Sequence, residues 1–136
     1  MPIAAGNLFL GSFDVNNAVQ KPLKATLFGL PFGKKPLKFK GYYKYVPGTQ
    51  SFKAKDKNGN TVTISRQEDE GDIYAVLYEA AGLDGKVLDG NNVLTSKNIV
   101  ALARVEVEKT DRYIEFETSF QYGERKEISW TQFIYR

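Results

Sequence analysis

Lys38, Lys40, Tyr42 and Lys44 recur at every second position of Leu37 to Gly48, a stretch that reads Leu-Lys-Phe-Lys-Gly-Tyr-Tyr-Lys-Tyr-Val-Pro-Gly. In a strand, that spacing sets all of them on one face, with Val46. A phenol ring among ammonium groups can stack on a flat partner while the charges meet hydroxyls, carboxylates or phosphates. That combination suits a polymeric ligand better than a blank surface. The plainer account is a solvated edge face, where lysine also deters aggregation. The other phase, Leu37, Phe39, Gly41, Tyr43 and Tyr45, reads as core.

Further rings that could stack on a ligand are Tyr74, Tyr78, Tyr122 and Trp130. Tyr74 and Tyr78 share a strand phase with Asp72 and Val76, and Trp130 shares one with Ile128. Each has a structural alternative, because amphipathic rings commonly bury the ring and wet the tip. Asp72 and Lys44 are the polar groups expected to meet ligand hydroxyls. Hydrolysis of a glycosidic bond would need two carboxylates, roughly 5 to 9 Å apart, in a cleft. Asp72 and Glu79 fall on opposite phases of one strand. Glu115 and Glu117 share an exposed phase, but nothing around them suggests a cleft.

With no His and no Cys in the chain, thiol nucleophiles, imidazole triads, disulfides and the usual zinc sites are excluded. The redox compartment stays open, since a chain without cysteine is indifferent to it. Asp56-Lys57-Asn58-Gly59-Asn60 has oxygen ligands at alternate positions. However, Thr61 and Gln67 stand where a calcium loop needs Gly and Glu, so a hairpin turn explains it better. No cofactor is expected; Asp84, Asp89, Asn91 and Asn92 share a loop in which a structural calcium is the alternative.

The net charge of +3 hides a segregation. Lys21 to Lys57 holds ten lysines and one acid, and Arg66 to Asp84 holds six acids and one base. The simplest account is that the two segments lie side by side and neutralise each other. No apolar run is long enough to span a bilayer. Met1 to Gly6 lacks the charged start and apolar middle of a signal peptide. An exported parent would carry its signal upstream.

The 136 residues suit one domain, which at this size buries roughly two-thirds of its unfolded surface. The elements that must position these residues are strands. Leu8 to Phe13, Ala25 to Leu30 and Leu37 to Val46 are apolar or alternating runs stopped by turn residues. Ser51 to Lys55 and Thr61 to Ser65 flank Asn58-Gly59, a hairpin signal. Asp72 to Ala80 is apolar on both phases and reads as a central strand. Gly82 to Asn92 is a turn-rich loop. Ile99 to Val107 reads as a strand, with a Ser96-capped helix as its competitor. Ile114 to Tyr122 alternates cleanly, and Glu127 to Tyr135 closes the series. Such a run of strands, with no long helix, argues a β-sandwich or β-barrel.

Several segments carry a resemblance. They are Leu8-Phe9-Leu10-Gly11-Ser12-Phe13, Phe28-Gly29-Leu30-Pro31-Phe32-Gly33-Lys34-Lys35-Pro36, Gly41-Tyr42-Tyr43-Lys44-Tyr45-Val46-Pro47-Gly48, Asp72-Ile73-Tyr74-Ala75-Val76-Leu77-Tyr78-Glu79 and Asn98-Ile99-Val100-Ala101. In order and spacing, from residue 8 to about residue 122, the chain resembles the "putative carbohydrate metabolism domain" family of Gram-negative gut bacteria. The resemblance implies an all-β, jelly-roll-like antiparallel β-sandwich of the carbohydrate-binding-module kind, exported and carried on larger surface proteins. A Ser-rich segment and a closing strand of the family pattern are not seen. The chain is therefore either part of a longer domain or a divergent member, and an exposed sheet edge could pair it with another copy.

The expected function is non-catalytic glycan binding at Tyr42, Lys44, Asp72, Tyr74, Tyr78 and Trp130. Its competitors are a protein-interaction module that pairs through a sheet edge and a single-stranded nucleic-acid binder. Acidic residues near Asp72 speak against nucleic acid.

Overall fold

A computed structural model describes residues 7–48, 52–55, 58–64 and 70–123. Within them the strands are β1 (Gly11–Phe13), β2 (Thr26–Phe28), β3 (Lys38–Tyr43), β4 (Phe52–Lys55), β5 (Thr61–Ile64), β6 (Asp72–Tyr78), β7 (Leu88–Asp89), β8 (Ile99–Glu106), β9 (Ile114–Ser119) and β10 (Gln121–Tyr122). One helical turn, α1 (Pro22–Ala25), precedes β2. Every pairing is antiparallel. The chain is all-β, as the sandwich reading requires, and the described strands do not close into a barrel.

β9 and β10 are two parts of one extended run interrupted at Phe120. Exposure alternates without a break from Ile114 to Tyr122, so the run keeps a single phase. Its first part pairs with β3 over Lys38↔Ser119 to Tyr43↔Ile114. Its second part pairs with β8 at Gln121↔Leu102 and Tyr122↔Ala101. β8 in turn pairs with β6 from Asp72↔Glu106 to Tyr78↔Ile99, with an irregularity at Leu77/Tyr78. The run therefore joins the β3–β9 ribbon to the β10–β8–β6 sheet and carries one set of faces across all of them.

A smaller sheet, ordered β1–β2–β7, forms the second layer. Leu88 of β7 is 0% exposed and packs with Val93 and Ile99, and Phe28, Tyr74, Val76 and Tyr78 close around them. The second layer thus lies over the end of β6 and β8 that holds Tyr78 and Ile99. The strand buried on both faces is β8, where Ala101, Leu102 and Ala103 are all inaccessible. Among the described residues β6 pairs with β8 alone, and its side chains are only half-buried. The apolar content of Asp72 to Tyr78 reflects packing on two faces, which does not require two strand neighbours.

The loop from Gly82 to Asn92 encloses the short strand β7, which its turn residues had hidden. Ile99–Glu106 is a strand and not a helix. The hairpin signal at Asn58-Gly59 joins β4 to β5, and Gly59 sits at φ +82°. Glu127 to Tyr135 lies outside the described residues.

Two glycines fix how closely the layers meet. At the end of β2, Gly29 has φ +124°, and a Cβ there would stand 2.4 Å from the Tyr78 hydroxyl. That hydroxyl donates to the Phe28 carbonyl at 2.6 Å. In β3, Gly41 lies opposite Phe116, whose ring a Cβ would meet at 2.8 Å. The space lets Phe116 sit edge-on to Phe39, with ring centroids 5.1 Å apart.

Gly29→Ala should cost about 2 kcal/mol or more, because it combines a strained backbone with displacement of the Tyr78 ring. Tyr78→Phe should cost about 1 kcal/mol, because it removes one hydrogen bond and keeps the packing. Urea unfolding of the two variants checks this order. An unchanged midpoint for Gly29→Ala would refute the close approach.

Candidate functional site

The register gives the composition of the sheet face directly. Lys38, Lys40 and Tyr42 of β3 stand opposite Ser119, Glu117 and Glu115 of β9. Leu102, Arg104 and Glu106 of β8 share that face, opposite Val76, Tyr74 and Asp72 of β6. The end of this face with Tyr78, Val76 and Ile99 is covered by the second layer. The other end, from Asp72 and Arg104 across to Tyr42, is a polar platform ending in an exposed ring. Tyr42 is 69% exposed.

Ion pairs join the charged groups of the platform. Glu117 accepts from Lys38 and, at 3.0 Å, from Lys40. Hydrogen bonds from the Lys38 and Lys40 ammonium groups hold the Glu117 carboxyl below its ordinary value. The Glu117 carboxylate in turn raises Lys40, chiefly through their hydrogen bond. At the far edge the Arg104 guanidinium forks onto Asp72, Nε–Oδ1 at 2.8 Å and Nη2–Oδ2 at 2.5 Å. The Arg104 side chain is 13% exposed, so this bidentate pair is the more sheltered one. Arg104 also lies 5.8 Å from the centroid of the Tyr74 ring. Burial first, and the Asp72 carboxylate second, push the Tyr74 hydroxyl up, and Arg104 partly opposes them.

The expected site residues separate into groups. Asp72 and Tyr74 come together around Arg104, which was not among the expected site residues. Tyr42 stands on the same face at the opposite edge, and Lys44 follows it on the same phase, exposed. Tyr78 is turned into the interlayer core, with its hydroxyl held by Phe28. Tyr42, Tyr74 and Tyr78 therefore share a sheet face without converging on one concavity. Tyr122 donates to the Pro36 carbonyl at 2.5 Å, and Lys35 Nζ lies 4.8 Å from its ring centroid. Trp130 lies outside the described residues.

Much of the acidic segment, residues 65–69, lies outside the described residues, and the described ion pairs of the two segments run to other strands. Lys38 and Lys40 pair with Glu117 of β9, and Asp72 pairs with Arg104 of β8. For these described pairs the partners are chosen by strand pairing. In the loop proposed for calcium, Asp89, Asn91 and Asn92 bond one another. Asn91 N and Nδ2 donate to Asp89 Oδ1, and Asp89 N donates to Asn92 Oδ1. Among the described residues no group of three or more His, Cys, Asp or Glu is placed to hold a metal ion. None of the described helices is long and apolar enough to cross a membrane.

Comparison with known proteins gives two kinds of match. The family model described as "putative carbohydrate metabolism domain" matches residues 1–136. A putative glycoside hydrolase from Bacteroides thetaiotaomicron is 45% identical, with a TM-score of 0.77 over 97% of this chain. Another from Bacteroides vulgatus is 40% identical, with a TM-score of 0.74 over 90% of this chain. The chain spans only 37% of the first and 46% of the second. None of the curated proteins compared with it matches.

The lowered Glu117 carboxyl implies a stabilisation that is present above the ordinary carboxylate range and is lost as pH falls through its own value. The pairs are exposed, so the effect on stability is small and salt-sensitive. A carbon-detected NMR titration should show Glu117 with a midpoint below the ordinary Glu value of about 4.3. The midpoint should rise in Lys38→Ala/Lys40→Ala. A midpoint at or above the ordinary value would contradict the double pairing.

Proposed function

The chain belongs to the "putative carbohydrate metabolism domain" family, and from that premise we propose that it is a non-catalytic carbohydrate-binding module of an exported protein. The observation that carries the reading is the exposed Tyr42 ring on a half-covered sheet face. Its polar neighbours Lys38, Lys40 and Glu117 are held in place by mutual ion pairs. A ring offers its flat face to the apolar face of a pyranose, and the fixed ammonium and carboxylate groups offer donors and acceptors to hydroxyls. Pre-arranged groups of this kind lower the ordering cost of binding.

In this reading Tyr42 and Lys44 form the outer part of the site. Asp72 and Tyr74, braced by Arg104, form the far edge that a longer chain reaches. The work asked of the domain is retention of a polysaccharide near the rest of its parent. Hydrolysis, which the names of the two Bacteroides proteins suggest for those longer chains, is assigned to parts beyond the matching span. An extracytoplasmic location follows from a polysaccharide partner.

A second reading has its own observation. β1 stands at the edge of its sheet among the described residues, and Gly11, Ser12 and Phe13 are all exposed. Leu8 and Leu10 beside it are exposed as well. Such an edge can take a strand from another chain, including a second copy.

Glycan-array binding followed by calorimetry tests the first reading. Tyr42→Ala should weaken binding about tenfold while leaving the melting temperature unchanged. Loss of the fold in Tyr42→Ala would mark the ring as core. Oligonucleotide binding that falls steeply with salt, with no glycan signal, would overturn the carbohydrate reading.

A further inference from the structure

We infer that Tyr113 is the second stacking ring of the Tyr42 site and that the pair takes an uncharged glycan. This rests on the carbohydrate-binding reading above and names the substrate class of the same site.

The β3–β9 ladder ends at the pair Tyr43↔Ile114. One step outside it stand Lys44 and Tyr113. Strand alternation gives Tyr113 the phase of Glu115 and Glu117, which is the face that bears Tyr42. Tyr42 is opposite Glu115, so the register continued one step past the ladder would set Tyr113 diagonally from Tyr42. Diagonal positions lie roughly 7 to 8 Å apart, which one oligosaccharide can bridge.

The two rings also share a condition that sets them apart from other tyrosines of the ribbon and sheet. Tyr113 is 73% exposed and Tyr42 is 69% exposed. Neither ring packs on another described aromatic ring, and neither hydroxyl is engaged by a described residue. Tyr43, Tyr78 and Tyr122 each have a hydroxyl bonded to distant backbone. Two phenol rings left in water on one face of one strand pair are what a stacking platform needs, because burial of such rings supplies most of the binding energy at a recognition surface.

The charges around the rings specify the ligand. Lys38 and Lys40 are both engaged by Glu117. Continued one step, the same register would set Lys44 diagonally from Glu115. An anionic chain would have to compete with Glu117 for two ammonium groups and pass over Glu115. A neutral chain displaces nothing. Its hydroxyls donate to the carboxylates and accept from the ammonium groups that the ion pairs already hold side by side.

Calorimetry with neutral oligosaccharides of glucose, mannose and xylose, set against oligogalacturonate and a sulfated glycan, tests both halves. The wild-type domain should bind a neutral chain. Tyr113→Ala should weaken it about tenfold, and Tyr113→Phe should leave it within about twofold. Both variants should melt with the wild type. In the unmutated domain, the Tyr113 ring protons should shift in NMR spectra as the neutral chain is added, which makes the test independent of any variant's folding. Binding that is lost in Tyr42→Ala but kept in Tyr113→Ala, with unshifted Tyr113 protons, would overturn the second ring and leave the carbohydrate reading standing. Binding confined to the charged chains would overturn the substrate class. No binding to any of them would overturn the carbohydrate reading and this inference with it.

Discussion

The hydroxyl of Tyr78 donates to the carbonyl oxygen of Phe28 across fifty residues of chain, at 2.6 Å. That bond joins the last residue of β6 to the last residue of β2, and so joins the larger sheet to the small one. It is possible only because Gly29 leaves the space and adopts the backbone that any side chain would resist. The Tyr78 ring then packs on Leu88, Val93 and Ile99, which form the described core cluster. The second layer is consequently pinned over one half of the sheet face. Among the described residues the cover stops there, and the other half carries the charged pairs and the exposed ring.

The same chemistry recurs around the sheet. Glu108 N donates to the Tyr43 hydroxyl at 3.2 Å, and the Tyr122 hydroxyl donates to the Pro36 carbonyl. In each case a ring fills apolar space and its tip satisfies a backbone group that strand pairing leaves over. This gives physical sense to a chain with eight tyrosines and one tryptophan. A phenol both donates and accepts, whereas an indole only donates. Tyrosine is the ring of choice where layers must be tied as well as packed.

The sequence shows much of this fold, for a specific reason. The alternations at Leu37 to Val46 and Ile114 to Tyr122 are regular because each strand there has one wet face. Period two therefore reports the face correctly, as the exposure of Lys38, Lys40 and Tyr42 bears out. In β6, Ile73, Val76 and Leu77 are apolar on both phases because side chains of both faces are partly buried, which by itself does not fix its place in the sheet. β7 is invisible because two residues among glycines, aspartates and asparagines carry no period. For the site, alternation isolates Tyr42 but cannot separate it from Tyr78. Whether a ring is free or tied depends on Phe28, fifty positions away. Arg104 hides among apolar neighbours, and Tyr113 sits one residue ahead of a strand. The signal that could have marked Tyr113 is its phase, shared with Glu115 and Glu117.

A sheet face that is half core and half surface divides one strand between two evolutionary regimes. On β6, Val76 and Tyr78 are constrained by the layer they hold down, and replacing them costs stability. Asp72, a few residues earlier on the same strand, is exposed at the open end, and Tyr74 stands between, packed on the core cluster and beside Arg104. Substitution at the open end can change the exposed groups while the tie at the covered end keeps the scaffold intact. The boundary between conservation and diversification would then fall within a single strand, near residue 75, and not at the junction of a strand with a loop.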